Sequence, residues 1–154
     1  MKIFSVFLIV FTSLNLLSAE IKGLVVGVSD GDTITVLDDM DKGRFRIRLY
    51  GIDAPEKKQD FGQKAKQYLS SRLFRKAVVI RYKEIDRYGR IVGKVYLDNE
   101  EINVDMLKNG YAWHYKNYDN SEEYSQAEIN AKRKGIGLWS MKNPIPPWTF
   151  RKKK

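Results

Sequence analysis

The chain contains no cysteine, a single histidine and only four prolines in 154 residues. Each scarcity removes a class of function. Without thiols there is no disulfide framework, no thiolate zinc site and no cysteine nucleophile. With His114 as the lone imidazole, a two-histidine general acid/base mechanism is closed as well. The sequence also lacks a long apolar run: Ile3 to Leu17 is short for a membrane span, which needs about 20 residues. Preceded by Lys2 and followed by Ser18-Ala19, that run reads as an export signal over residues 1–19, cleaved before Glu20, with a retained N-terminal anchor as the alternative. No internal repeat and no domain linker interrupts the remainder. Residues 20–142 are therefore expected to form one domain, and 143–154 a tail rich in proline and basic residues that lies along the surface or frays.

What is plentiful is positive charge. Lys and Arg number 28 against 19 Asp and Glu, a formal net charge of +9. An excess of that size favours polyanions such as nucleic acid or an anionic surface.

The most informative stretch runs from Arg44 to Glu56. Phe45, Ile47 and Leu49 alternate with Arg44, Arg46 and Arg48, the period of a strand with one packed face and one face of guanidinium groups. Pro55 ends the strand pairing because it has no N–H to donate. Asp53, Glu56 and the Ala54 carbonyl are left crowded at a strand end. Upstream, Asp30-Gly31-Asp32-Thr33 marks a tight turn between two β-like runs, Ile21 to Val28 and Asp32 to Leu37, so a compact β domain brings Asp32 toward Asp53. The turn is not an EF-hand, because Ile34 and Thr35 stand where a ligand and a glycine are required. Two carboxylates, a bare carbonyl and arginines suit a hard cation beside a phosphate.

Further along, Phe61, Ala65, Tyr68, Leu69 and Leu73 recur at helical spacing and predict an amphipathic helix over 60–75. Strands follow at 77–83 and 91–97, flanking the turn-forming Asp86-Arg87-Tyr88-Gly89-Arg90. Asn103 is placed to cap a short helix ending near Gly110. Tyr111 to Tyr118 is aromatic and irregular, and a last helix over 121–134 is announced by Asn120 with Glu123. Five short strands with a helix between the third and fourth give an α+β, β-rich class: an OB-fold five-stranded barrel with about three helices.

Four motifs in this order, Asp30 to Thr33, Arg48 to Glu56, Asp86 to Arg90 and Gly135-Ile136-Gly137-Leu138-Trp139, resemble those of the thermonuclease, or staphylococcal nuclease-like, family. The resemblance implies a secreted, Ca2+-dependent endonuclease that hydrolyses DNA and RNA with little sequence preference and leaves 3′-phosphate ends. It implies metal ligation by Asp32, Asp53 and the carbonyl of Ala54, and catalytic roles for Arg48, Glu56 and Arg90. It further implies a monomer with no stable membrane association once the signal is removed. The chemistry of these groups agrees. Calcium accepts six to eight oxygen ligands in irregular geometry, and guanidinium groups pair bidentately with phosphate oxygens. A carboxylate is a weak base toward water, so Glu56 orients the attacking water at least as much as it deprotonates it. Arg87, Tyr88 and Tyr115 are the candidate substrate-binding residues, the tyrosines by stacking on bases. Arg44 and Arg46 read as a solvated face, His114 as structural or exposed and Trp139 as a core anchor. A non-catalytic barrel that binds single strands through its basic and aromatic surface is the competing reading.

Overall fold

The computed structural model describes residues 18–152. The expected export signal up to Leu17 lies outside the described residues. In chain order the elements are β1 (Ala19–Val28), β2 (Thr33–Asp38), β3 (Arg44–Leu49), β4 (Ile52–Asp53), α1 (Gly62–Leu73), β5 (Ala77–Ile85) and β6 (Ile91–Leu97). They continue with β7 (Glu100–Glu101), α2 (Ile102–Lys108), β8 (Trp113–His114), α3 (Glu122–Lys134), a 3-10 turn at Gly137–Ser140 and α4 (Pro147–Lys152).

The main sheet runs β3-β2-β1-β5-β6, with β7 added beyond β6, and it closes because β3 also pairs with β6. Every neighbouring pair in the run is antiparallel. The closing pair is parallel, with Ile47 opposite Ile91, Arg48 opposite Val92 and Leu49 opposite Gly93. This is the expected OB-type barrel. A register shift between Val25 and Gly27 lets the long β1 bend and serve both β2 and β5.

The alternation read from the sequence is what fills the barrel. Val25, Ile34, Val36, Ile47, Leu49, Ile80 and Val95 point inward and are fully buried. Ala65, Leu69 and Leu73, one stripe of α1, close one end of that core. Arg44 and Arg46 are exposed on the outer face of β3, as expected, whereas Arg48 is drawn inward.

Three local readings are corrected. Asn103 does not cap α2; it lies inside the helix, fully buried. Its Oδ1 accepts from the Val95 amide at 3.0 Å and its Nδ2 donates to the Tyr50 carbonyl at 2.9 Å, so it bridges β6 to the chain leaving β3. The cap of α3 is Ser121 and not Asn120, since the Ser121 hydroxyl accepts from the Tyr124 amide. Of the two fates expected for the tail, lying along the surface or fraying, residues 143–152 take the first, but as ordered structure and not as an irregular strand. The tail forms a fourth α-helix, α4, anchored where Gln59 Nε2 donates to the Ile145 carbonyl at 2.5 Å and where Trp148 packs edge-on against Trp113 at 5.7 Å.

Candidate active site

The site lies where β2, β3 and β4 meet, and it is built from the turn before β2 and the strand end after β3. Thr33 pairs with Arg48 across the β2–β3 ladder, and the Leu49 amide donates to the Asp32 carbonyl at 2.9 Å, so the Asp30–Asp32 turn is fixed beside the end of β3. The chain then reverses through Gly51 into β4, which pairs with β8: Ile52 stands opposite His114 and Asp53 opposite Trp113. A left-handed backbone (φ +70°) and the Tyr124 ring, 2.8 Å from where a Cβ would sit, make glycine necessary at position 51.

This framework brings the first two carboxylates together. Asp32 is 6% exposed and Asp53 2%. Asp32 Oδ2 accepts from the Ala54 amide at 2.8 Å, which ties the metal-ligand candidates Asp32 and Ala54 directly. Arg48 spans both carboxylates: its Nη2 lies 3.2 Å from Asp32 Oδ2 and 3.1 Å from Asp53 Oδ1. Its Nη1 donates to the carbonyls of Leu49 and Ile52 at 2.6 and 2.8 Å, so the guanidinium is held rigidly. Burial pushes the Asp53 carboxyl upward, with the charge of Asp32 adding to it against the arginines. Asp30, whose Oδ1 accepts from the Asp32 amide at 3.1 Å, is pushed up to about 7, first by burial and then by Asp32.

Glu56 stands at the rim, its side chain 35% exposed. Its amide donates to Gln59 Oε1 at 3.0 Å, and its carbonyl accepts from the Gln59 amide, so tight turns lead from Glu56 straight into α1. The β5–β6 hairpin supplies the opposite wall. Asp86 organises it, accepting from the amides of Tyr88 and Arg90 and, through Oδ2, from Arg90 Nε at 2.8 Å. Arg90 is thereby aimed inward, its side chain 22% exposed. Arg87 and Arg90 flank the Tyr88 ring, with guanidinium carbons 4.9 and 5.4 Å from its centroid. Tyr88 is 64% exposed. Tyr115 stacks on Tyr118 at 5.3 Å.

All nine candidate residues line a single open cleft of about 390 Å³. The same cleft holds groups that the sequence reading did not place there: Tyr50, Glu84, Asp86 and, above all, Arg151. Arg151 reaches back from α4 to donate to Asp53 Oδ2 at 2.8 Å, Asp53 Oδ1 at 3.2 Å and Glu56 Oε1 at 2.8 Å. These bonds raise its pKa still further. Its only sequence signal was membership of a terminal basic run, which looks the same whether solvated or docked. His114, by contrast, is structural and not exposed: its side chain is buried, with Nε2 2.8 Å from the Asp119 carbonyl and 3.1 Å from Asp119 Oδ1.

Among the described residues no three His, Cys, Asp or Glu side chains converge as a ready-made metal cage. What the cleft offers a cation is two buried, mutually repelling carboxylates next to the Ala54 peptide, all hard oxygen donors. That donor set fits a hard divalent ion whose remaining ligands are water and phosphate oxygens, and excludes a soft-metal site.

A closed OB-type barrel carrying paired carboxylates and arginines in one cleft suits a protein that handles phosphate groups, and the fold alone goes no further. Comparison with known proteins makes this specific. Residues 46–141 match the family described as staphylococcal nuclease homologue, and the chain belongs to that family. It is 46% identical over 146 residues to an "Uncharacterized endonuclease" of Haemophilus influenzae, covering 94% of this chain and 82% of that protein. It is 39% identical over 145 residues to a "Micrococcal nuclease" of Shigella flexneri, covering 87% of this chain and 82% of the relative. A rice protein named "Probable staphylococcal-like nuclease CAN3" is 41% identical over 75% of this chain, which spans 30% of that relative.

Proposed function

We propose that this nuclease is an exported, calcium-dependent endonuclease that hydrolyses the phosphodiester bonds of both DNA and RNA with little sequence preference and leaves 3′-phosphate ends. The observation that carries the reading is the meeting of Asp32, Asp53, Arg48, Glu56 and Arg90 in one cleft, with Arg48 in contact with both carboxylates. Asp32, Asp53 and the Ala54 carbonyl would hold the calcium, which when bound would supply positive charge to offset that of the scissile phosphate. Arg48 and Arg90 enter from opposite walls and donate to phosphate oxygens as negative charge builds on them. Glu56, at the solvent rim, accepts a hydrogen bond from the attacking water and orients it toward phosphorus. Tyr88 and Tyr115 stack on the flanking bases, and Arg87 adds a contact to the backbone. Because these contacts address phosphate, sugar and base faces, cleavage is insensitive to sequence. Residues 1–19 direct export and are removed before Glu20, leaving a monomer with no stable membrane association.

The test is digestion of plasmid DNA and of RNA by the chain from Glu20 onward, with calcium or with chelator, beside Glu56→Gln. The expected result is calcium-dependent cleavage of both substrates, with turnover in the variant lower by about 10²–10⁴-fold and oligonucleotide binding kept. Nucleic acid left intact but retarded on a gel would replace the enzyme with the binding-module reading.

A further inference from the structure

Arg151 stands in an unusual place for a residue of a short terminal helix. A carboxylate has about four lone-pair positions. On Asp53, Oδ2 accepts from Arg151 Nη2, and Oδ1 accepts from both Arg151 Nη1 and Arg48 Nη2. Three positions are therefore filled, two of them by Arg151. The same guanidinium holds Glu56 Oε1 at 2.8 Å. One side chain thus engages the candidate metal ligand and the candidate water-orienting group together. The helix that carries it does a second thing: Trp148 lies 5.5 Å from the Tyr115 ring, covering a candidate base-stacking surface.

From this we infer that Arg151 is an internal cation of the active site and α4 a strap, which together occupy Asp53, Glu56 and one side of the Tyr115 ring until calcium displaces the guanidinium. The inference rests on the metal-binding reading of Asp32 and Asp53 given above. Arg151 supplies one unit of charge from a side chain 43% exposed, whereas calcium carries two and interacts with the same carboxylates about twice as strongly at equal distance. Among the contacts that hold the strap are Gln59 on the Ile145 carbonyl, Trp148 on Trp113 and Tyr115, and Arg151 on the two carboxylates. Because metal and strap compete for Asp53, each weakens the other by the same factor. Once released, Asp53 recovers two acceptor positions, Glu56 is free to face water and the Tyr115 ring is uncovered.

The experiment measures calcium binding by isothermal titration, with no nucleic acid present, for wild type, Arg151→Gln, Arg151→Lys and Asp53→Asn, each of them checked for folding by near-UV circular dichroism. Hydrogen exchange of residues 145–152 is followed in wild type with and without calcium. The inference expects Arg151→Gln to bind calcium at least about fivefold more tightly, within the usual range of coupling between linked sites. Arg151→Lys, which keeps the charge but not the fork, should fall between the two. Protection of the 149–152 amides should drop as calcium saturates wild type. Equal or weaker calcium affinity in Arg151→Gln, with Asp53→Asn abolishing binding, overturns the strap and leaves the metal reading standing. No calcium binding by any of the four proteins overturns both.

Discussion

Asp119 shows how a residue away from the cleft supports the strand that carries a candidate metal ligand, Asp53. It joins His114 to the start of α3, accepting from the Ser121 hydroxyl at 2.6 Å and the Ser121 amide at 3.0 Å while His114 Nε2 lies 3.1 Å away. His114 in turn pairs with Ile52 beside Asp53. Burial raises the Asp119 carboxyl, but the Ser121 bonds and His114 outweigh it and leave the pKa below the usual carboxylate value. A carboxyl depressed in the folded state contributes stability that is present above its unfolded pKa and is lost as pH falls through the folded one. Asp119→Asn should therefore destabilise the protein at pH 7 by about 1–3 kcal/mol. The gap from wild type should close as pH falls below about 4, the unfolded carboxylate range. Urea unfolding across pH 3–7 checks both the size and the direction. Neither the pairing nor the shift could be read from the sequence, because Asp-Asn-Ser is ordinary turn composition and its partner is decided by the fold.

At the scale of elements, the sequence told most where a pattern had room to repeat. The five barrel strands and α1 are long enough for period two or period 3.6 to emerge, and each was legible. The paired segments β4, β7 and β8 are two residues each and carry no period at all. Asn103 looked like a cap because a capping asparagine and a buried bridging one have the same neighbours in sequence; only the approach of Val95 and Tyr50 separates them. Helix α4 was missed for a related reason. It packs on Trp113, Tyr115 and the cleft carboxylates, all distant in the chain, and at six residues it is too short for a period to show. Gly31 is the most instructive of the legible positions. An Asp-Gly turn suggests glycine for its backbone freedom, yet the reason here is space: a Cβ at 31 would meet both the Ala54 and the Ala65 methyl groups at 2.7 Å. The turn before β2 is wedged between α1 and the candidate metal carbonyl. Gly31→Ala should cost about 1–3 kcal/mol by overpacking, measurable as a lower urea midpoint. It should also weaken calcium binding, since Asp32 and Ala54 are the groups pushed apart.

At the scale of the whole molecule, the net charge of +9 and the arginine-lined cleft set the association step. Each phosphate neutralised on a single strand contributes about 0.7 to the slope of log affinity against log salt. Oligonucleotide binding to Glu56→Gln, where no turnover blurs the titration, should fall with a slope near −2 if Arg48, Arg87 and Arg90 each engage one phosphate, by the same approximate rule. Fluorescence anisotropy between 50 and 300 mM salt would read it, and a flat profile would move the substrate off these arginines.

The parallel join between β3 and β6 sets the moment at which the two walls of the cleft meet. Arg48 sits on β3, and Arg90 immediately precedes β6, so the two face each other across the cleft only after Ile47 has met Ile91. Until that seam zips, the growing or unfolded polypeptide carries every candidate reactive side chain and no assembled cleft. Such long-range pairing comes late and slowly in folding. Barrel closure thus decides when the candidate site exists, because a chain that has not joined β3 to β6 has no cleft in which to hold a phosphate.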